Sequence, residues 1–430
     1  MNPSAIDTPS QQPPDVSALE VNLRHLHAFS VVSATGSVTR AAESLFRVPS
    51  AITRAIAELE HCLGHALFER KARGMLLNAY GTATGVRVGR IEQEFKLACQ
   101  EVASVASARR LDTWGLLAAM FNGRRLAMFA SLAEMRNMPA VAAQFGVTQS
   151  TLSALVRELE ARIGCPLFTR SARGVAPTPA GVQIAFRSTR ALAELRSIGS
   201  DLAAIQGVVQ GSIVVGIGPM PFSRTTVLPT AIVSLIEAHP RVRVRTLERP
   251  YELLLAALRS GEVDVILGAM RPTDEVKGLI QEHLFDNRIV LVARAGHPLA
   301  TAAKINFRAL RKSQWVLSQR QSPTRELLES FFADQGEPMP QPVVETGDLA
   351  LVRGLLLKSD MLAAVSAHQL QYELEAGTLV VIDFRLRTTQ RKIGIIQRAS
   401  AMPAPCTLAL LEEVRKASRV LNPQTQEVER

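Results

Sequence analysis

Residues 148–181, TQSTLSALVRELEARIGCPLFTRSARGVAPTPAG, predict a helix followed by a short basic hairpin. Thr148 is a suitable N-cap, and Gly164 suits the helix end because glycine adopts the left-handed conformation at little cost. Between them, apolar side chains recur at spacings of three and four, which predicts one buried helical face. Its members are Leu152, Leu155, Val156, Leu159 and Ile163. After the helix, Arg170 and Arg173 flank a tight turn.

The segment just upstream completes a DNA-binding motif. Residues 140–145 predict a short helix, and Gly146-Val147 predict the turn into the next one. A helix, a glycine turn, a polar-faced helix and an arginine-tipped hairpin form a winged helix-turn-helix. Such a helix fits the major groove, where short polar side chains reach base edges, while wing arginines meet phosphate or the minor groove. The alternative is an ordinary helical hairpin with a solvated charged face.

The same stretch occurs twice in the chain. Residues 49–81 align without gaps on residues 149–181 at an offset of 100, with 12 identities in 33 positions. The identical residues of the first copy are Ser50, Glu58, Leu59, Glu60, Gly64, Leu67, Phe68, Arg70, Ala72, Arg73, Gly74 and Gly81. They occupy predicted cap, core and wing positions, which indicates duplication of a whole domain.

These motifs resemble those of the LysR-type transcriptional regulators. The resemblance rests on V-T-Q-S-T-L-S, on the run L-E-x-x-x-G-x-x-L-F-x-R and on the ending T-P-A-G. L-R-S-G-E-V-D-V-I-L-G at residues 258–268 also looks like that family's sensor-domain signature. The resemblance implies a two-lobed, periplasmic-binding-protein-like α/β effector domain behind the DNA-binding part. The family normally carries one winged head, so two heads are a departure.

The two heads offer different DNA-contacting side chains. For the second head the predicted set is Thr148, Gln149, Ser150, Thr151, Ser153, Arg157, Arg170 and Arg173. For the first head it is Ser50, Thr53, Arg54, Arg70 and Arg73. Val48 and Pro49 replace Thr148 and Gln149, so the first helix persists but loses a base-reading amide. The second head is therefore predicted to be the principal DNA-binding head, and the first either an auxiliary one or a degenerate one kept for packing.

The predicted organisation is a multidomain α/β chain. Its segments are a disordered tail (1–20), winged head 1 (21–81), linker helix 1 (82–112), winged head 2 (113–181), linker helix 2 (182–207) and an effector domain (211–425). Gly115 is expected to break the first linker. Apolar seams lie at Ile91, Phe95, Ala98, Val102 and Val105 and at Leu195, Ile198, Leu202 and Ile205. The seams could pair with each other inside one chain, with their equivalents in a second chain, or each with its own head.

Strands that alternate with helices predict a parallel, doubly wound sheet in the effector domain. Lobe I is expected at about 211–285 and 384–425, and lobe II at about 286–383. Ligands of such sheets bind beyond the carboxyl ends of strands. The residues predicted to contact an effector are Pro219, Met220, Ser223, Ser318, Ser322, Thr324, Thr346 and Ser366, with Arg224 and Arg325 adding charge. The alternative is that they only cap helices and form turns.

Composition supports these predictions and excludes others. The net charge of +10 suits a polyanionic partner, but it is spread over both halves, so the motif has to carry the DNA-binding prediction. Four separated cysteines indicate free thiols in a reduced compartment. Gly216-x-Gly218 lacks the third glycine of a dinucleotide loop, and no G-x-S-x-G, H-E-x-x-H or Walker loop occurs. No catalytic set, metal site, cofactor, signal peptide or membrane span is predicted.

The sequence therefore predicts a cytoplasmic, homo-oligomeric (dimeric or tetrameric) transcriptional regulator. It would bind double-stranded promoter or operator DNA and sense a small effector between the lobes, such as an organic acid, an aromatic acid or a sugar. One alternative is a small-molecule-binding protein whose heads serve oligomerisation only. Another is an architectural DNA-binding protein without an effector.

Overall fold

The computed structural model describes residues 18–71, 74–105, 113–120, 122–171, 174–218, 226–272, 276–320, 322–387 and 389–419. The predicted tail therefore lies largely outside the described residues. The chain divides into two compact units, one up to Ser212 and one from Ile213 onward, apart from two three-residue segments, 260–262 and 404–406, which group with the first unit.

The first unit is helical with two small hairpins. Its first copy contains α1 (Leu23–Thr35), α2 (Val38–Ser44), α3 (Pro49–Leu63), β1 (Phe68–Lys71), β2 (Gly74–Leu77) and α4 (Ala79–Val105). After α5 (Thr113–Met120), the second copy contains α6 (Gly123–Met135), α7 (Met138–Gln144), α8 (Gln149–Ile163), β3 (Phe168–Ser171), β4 (Gly174–Pro177) and α9 (Pro179–Ile205). Each copy is thus a winged helix-turn-helix followed by a 27-residue helix.

The two copies use equivalent contacts at an offset of 100. Glu60 Oε1 accepts a hydrogen bond from the Leu67 N–H at 2.7 Å, and Glu160 Oε1 accepts one from the Leu167 N–H at 2.8 Å. These carboxylates join the third helix of each head to the start of its hairpin. Asn22 and Asn122 cap α1 and α6 and form an antiparallel bridge with each other. The repeated sequence therefore folds into repeated local structure.

Helices α4 and α9 pack against each other within the chain. Their buried apolar residues include Ile91, Phe95, Ala98 and Val102 on α4, and Leu195, Ile198 and Leu202 on α9. Of the three pairings that the sequence left open, the structure shows the internal one. Ile205 is 41% exposed, so the seam of α9 ends before it.

Two predicted details of this region are wrong. Gly115 lies inside α5 and does not break a helix. The first long helix begins at Ala79, before the predicted Thr82, because Asn78 accepts the Gly81 N–H through its side chain and so acts as a cap.

The second unit is α/β. Its helices are α10 (Val227–Ala238), α11 (Tyr251–Ser260), α12 (Phe307–Lys312), α13 (Pro323–Asp334), α14 (Leu349–Lys358), α15 (Gln371–Glu375) and α16 (Pro405–Arg419). Its strands, with β5 beginning at the unit boundary, are β5 (Gly211–Ile217), β6 (Val242–Glu248), β7 (Val265–Ala269), β8 (Leu279–Arg294), β9 (Gln314–Leu317), β10 (Val344–Glu345), β11 (Met361–Ser366), β12 (Leu379–Ile382) and β13 (Gln390–Arg398).

The sheet of this unit is mixed, which corrects the prediction of a parallel one. The strand order is β10-β9-β11-β8-β13-β7-β5-β6, with β12 also paired to β8. β5 pairs parallel to β7, and β9 pairs parallel to β10 and β11, as in two separate α/β lobes. The long strand β8 and the returning strand β13 cross between the lobes and run antiparallel to their neighbours. The predicted lobe boundaries, at residues 285–286 and 383–384, fall within β8 and between β12 and β13, close to these crossings.

Candidate DNA-binding and effector sites

The polar face of α8 is exposed, as its sequence predicted. Gln149, Ser150, Thr151 and Arg157 are all exposed, while the apolar residues Leu152 to Ile163 of the predicted face are buried. Thr148 is engaged as the N-cap: its Oγ1 accepts the Thr151 N–H at 3.2 Å. Among the predicted contacts on α8, Gln149 and Arg157 are the long polar side chains that are exposed to solvent.

Ser153 is only half-buried, and its hydroxyl lies 3.1 Å from Met138 Sδ on α7. A sulfur is a weak acceptor, so this contact does not hold the hydroxyl strongly. Ser153 can therefore turn towards a ligand at small cost, but the structure itself places it at the contact between α7 and α8.

The matching face of α3 is exposed but already engaged. Thr53 Oγ1 donates to the Pro49 carbonyl at 3.1 Å, and Arg54 Nε donates to Glu58 Oε1 at 2.6 Å. Ser50 is exposed, and Val48 makes no side-chain cap. Because two of its three predicted contacts are used inside the helix, the first head offers fewer uncommitted donors than the second.

The side chains of the predicted wing arginines lie outside the described part of the structure. Arg70 and Arg170 lie in β1 and β3, but their side chains are outside the described part of the structure. Arg73 and Arg173 lie outside the described residues altogether. The backbone positions of Arg70 and Arg170 are equivalent, since Arg70 pairs with Met75 and Arg170 pairs with Val175.

Five of the predicted effector residues are described, and they lie where strands end or helices begin. Ser322 caps α13 and donates to Ser318 Oγ at 2.7 Å, just after β9. Ser366, at the end of β11, is fully buried, and Thr346 Oγ1 accepts the Asp348 N–H at 3.1 Å. Thr324 lies in the first turn of α13. The other three, Pro219, Met220 and Ser223, lie outside the described residues, as does Arg224.

Three polar residues at the same strand ends were not predicted. Asn287 on β8 accepts the Ser366 hydroxyl at 2.6 Å, and Arg391 on β13 donates to Thr324 Oγ1 at 3.1 Å. Arg271 follows the end of β7 and lies 4.6 Å from the centre of the Tyr251 ring. Each lies on or beside a crossing strand. The predicted lobe boundaries placed the crossings near residues 285–286 and 383–384, but no sequence signal singled out these three side chains.

A cavity of about 590 Å³ lies near the return crossing of the chain. It is lined by residues 288–290, 381–387 and 390, and it includes none of the predicted effector residues. Its volume is that of a small-molecule site, but strand ends and helix N-termini converge elsewhere in this unit. We therefore keep the predicted residues as the candidate effector site.

Other features add no further chemistry. In the part of the chain that the structure describes, no group of three or more His, Cys, Asp or Glu side chains is placed to hold a metal ion. Within the same residues, no helix combines the length and apolarity needed to cross a bilayer. The four cysteines are free thiols, of which Cys99 and Cys406 are buried.

Comparison with known proteins identifies both parts of the chain. A model described as LysR substrate binding domain matches residues 206–419. A model described as bacterial regulatory helix-turn-helix protein, lysR family, matches twice, at residues 23–82 and 124–182.

Relatives differ in how much of the chain they match. The HTH-type transcriptional regulator GalR of Pseudomonas putida is 44% identical over 395 residues, which cover 92% of this chain and 97% of GalR. The HTH-type transcriptional regulator PcaQ of Agrobacterium fabrum is 24% identical and covers 94% of its own length but 69% of this chain. The match to PcaQ leaves nearly a third of this chain uncovered, whereas the match to GalR spans nearly the whole chain.

A solved structure of a full-length OxyR variant from Pseudomonas aeruginosa has a TM-score of 0.51 at 22% identity. The match covers 93% of that chain and 69% of this one, so it supports the fold of one head plus the effector domain. With the family models and the near full-length match to GalR, this chain belongs to the LysR family of transcriptional regulators, which bind DNA and carry an effector-binding domain.

Proposed function

We propose that one chain carries a complete pair of DNA-binding heads, with α8 as the principal base-contacting helix. The observation that carries this proposal is an ion network between α4 and α9. Arg87 donates to Glu194 at 2.7 Å and to Asp201 at 2.6 Å. One hundred positions on, Arg187 donates to Glu94 at 2.8 Å and also pairs with Glu101.

The network has the symmetry of a two-fold interface. Arg90 donates to Glu194, and its equivalent Arg190 donates to Glu94. In an isologous dimer the same surface of both partners meets, so residue i contacts j and j contacts i. Here both copies of that surface belong to one chain, which therefore supplies by itself what two subunits would otherwise supply.

The contacts are specific because they are buried. Arg87 is 1% exposed, and Glu94 and Glu194 are each 7% exposed. Burial acts to lower the pKa of Arg87, but its hydrogen bonds to Asp201 and Glu194 outweigh burial and raise the pKa above the ordinary value. A buried charge without its partner is costly, so the paired arrangement of α4 and α9 is favoured over separation of the helices.

This arrangement leads us to infer the remaining partners. The facing surfaces of α4 and α9 are occupied, so a dimer or tetramer of the chain would form through other surfaces. The DNA would be a promoter or operator segment, and a protein that binds it would act in the cytoplasm. The effector would be bound at the strand ends of the second unit.

The DNA-binding part of the proposal is tested by footprinting on the DNA that flanks the gene. Deleting the first head is unsuitable, because loss of α4 would expose the apolar face of α9. Point variants keep the fold. Gln149→Ala and Arg157→Ala should each weaken binding about tenfold, since a base contact contributes about 1–3 kcal/mol. Arg54→Ala should shorten the protected DNA segment at one end. Arg311→Ala, in the second unit, is the control.

Each outcome has a defined meaning. Unchanged protection by Arg54→Ala with loss of binding by Gln149→Ala would leave the first head a packing module. Unchanged binding by all three variants would contradict the assignment of α8 and α3. No salt-sensitive binding by the wild-type chain would favour heads that serve oligomerisation only.

A further inference from the structure

A group of buried hydrogen-bond donors without acceptors lies at the strand ends of the second unit. We call Asn287, Arg391 and Arg325, with the neighbouring Thr324 and Arg271, the donor cluster. Asn287 Nδ2, Arg391 Nε, Arg325 Nη1 and Arg271 Nε are each inaccessible to solvent and make no hydrogen bond. Buried polar groups in proteins are nearly always paired, so four such donors close together call for an acceptor.

The amide group of Asn287 is oriented by a hydrogen bond from a neighbouring residue. The residue is 1% exposed, and its Oδ1 accepts the hydroxyl of the fully buried Ser366. Ser366 is itself fixed, because its N–H donates to Gln369 Oε1 at 3.1 Å. The carbonyl side of the amide is therefore satisfied, and the NH₂ side is left to donate to something else.

Arg391 lies beside Asn287. The two are register partners on the crossing strands β13 and β8, so their side chains are neighbours on one face. Arg391 Nη1 donates to Thr324 Oγ1 in the first turn of α13. That donation places a guanidinium next to a helix N-terminus, whose free N–H groups also favour an anion.

Two cationic side chains face each other at this point. The register of β13 and β7, continued by two residues, brings Arg271 opposite Arg391. Burial and the nearby Arg271 guanidinium lower the pKa of Arg391 to about 10, so Arg391 remains charged at neutral pH. Like charges placed opposite each other repel, and an anion between them would remove that cost.

Arg325 extends the cluster into lobe II. It follows Thr324 directly, is 3% exposed, and donates through Nε to Glu329 at 2.6 Å. Its Nη1 remains buried without an acceptor. Glu329 therefore neutralises this arginine in part.

We propose that the donor cluster binds the carboxylate of a small organic acid, with Arg391 and Asn287 as its principal donors. The inference rests on the proposed function, since it names the chemical class of the effector at that same site. Guanidinium and carboxylate form short, charge-assisted hydrogen bonds, and a second oxygen can accept from the amide. Because the donors come from both crossing strands and from α13, the bound acid would hold the two lobes together.

The test is ligand-induced stabilisation of the full chain without DNA. Its melting temperature is measured at constant ionic strength with benzoate, 4-hydroxybenzoate and succinate, with the primary amide of each, with glucose, and with sulfate and inorganic phosphate. Affinities of the stabilising compounds are then measured by calorimetry. We expect at least one carboxylate to raise the melting temperature and its amide not to do so.

Two variants separate binding from folding. Arg391→Gln should weaken binding of the carboxylate at least tenfold, which is the loss expected when a hydrogen bond to a charged group is removed. Without ligand it should melt at the same temperature as the wild type or higher, because it removes an uncompensated buried cation. Arg294→Gln, which removes a charge paired with Asp360 away from the cluster, is the control and should keep full affinity.

Several results would overturn the inference. They are equal stabilisation by acid and amide, stabilisation by phosphate but by no carboxylate, no stabilisation by any oxyanion, and full affinity in Arg391→Gln. DNA binding by the same preparation is measured separately. Intact DNA binding with no anion effect would reject the inference alone, whereas anion binding without DNA binding would reject the proposed function.

Discussion

At the residue scale, the two copies differ most clearly in the turn between their second and third helices. Gly146 has a φ of 61°, which suits glycine, but its equivalent Phe46 adopts a φ of 52° and is 95% exposed. The left-handed conformation costs a non-glycine residue about 1–2 kcal/mol. At this turn the first head thus contains a strain that the second head lacks, whereas the relation is reversed where α1 and α6 end, at Gly36 (φ 65°) and Arg136 (φ 53°).

Exchanging the two residue types should have opposite effects. Phe46→Gly should stabilise the first unit by about 0.5–1 kcal/mol, because relief of strain exceeds the entropic cost of glycine. Gly146→Ala should destabilise it by about 1 kcal/mol. Denaturant unfolding measures both, and changes of the same sign would contradict this explanation.

Gly81 and Gly181 are both required by close packing. A Cβ at Gly81 would lie 2.0 Å from the Leu67 carbonyl oxygen, and one at Gly181 would lie 2.1 Å from that of Leu167. Gly81→Ala and Gly181→Ala should each cost about 2 kcal/mol, because the obstacle is backbone. Gly89→Ala on the open face of α4 is the control and should gain about 1 kcal/mol. A neutral Gly181→Ala would mean that the hairpin can move away.

At the scale of elements, sequence reasoning gave the helices of both heads and most strands, because periodicity and caps are local signals. It missed α5, where Gly115 suggested a break. Its lobe boundaries placed the crossings near residues 285–286 and 383–384, but it did not give the antiparallel pairing of β8 and β13. Crossing depends on contacts between residues such as Arg391 and Asn287, which lie far apart in the chain. For the same reason the predicted effector set contained hydroxyl groups at strand ends but missed the donors opposite them.

The ion network between α4 and α9 makes a prediction at this scale. Glu194→Gln should lower the free energy of unfolding of the first unit by about 2–3 kcal/mol, since it removes one of the two carboxylates that Arg87 contacts and the carboxylate to which Arg90 donates. The equivalent Glu94→Gln should do the same to Arg187 and Arg190. Glu43, exposed on α2, is the control, and its change to Gln should stay within about 0.5 kcal/mol. A Glu194→Gln variant as stable as that control would show that the network contributes nothing.

At the scale of the whole molecule, three histidines distribute a pH response over both units. Burial lowers the pKa of His25, His65 and His368, so the unfolded chain binds protons that the folded chain does not. Their contribution is complete above the unfolded pKa of about 6.5 and is lost as pH falls below it. The melting temperature should therefore fall between about pH 7.5 and 5.5. A triple change to Gln should flatten that fall, and an unaltered slope would contradict it.

The organisation of the whole molecule explains what the sequence could show of function. The duplicated motif indicated two heads, but not whether they belong to one DNA-binding pair or to two. Arg87, Arg187 and their partners support the first arrangement, which is the one we propose, but they are ordinary charged helix residues until α4 and α9 are seen together. Under that proposal, this chain alone would place two recognition helices on one DNA segment.

The measurement that tests this claim most directly is the number of DNA segments protected by each bound chain. Hydroxyl-radical footprinting on the DNA flanking the gene gives the protected segments of the DNA backbone, and native mass spectrometry of the same complex gives the number of chains. The built-in pair predicts two protected segments for every chain. One protected segment for every chain would contradict it.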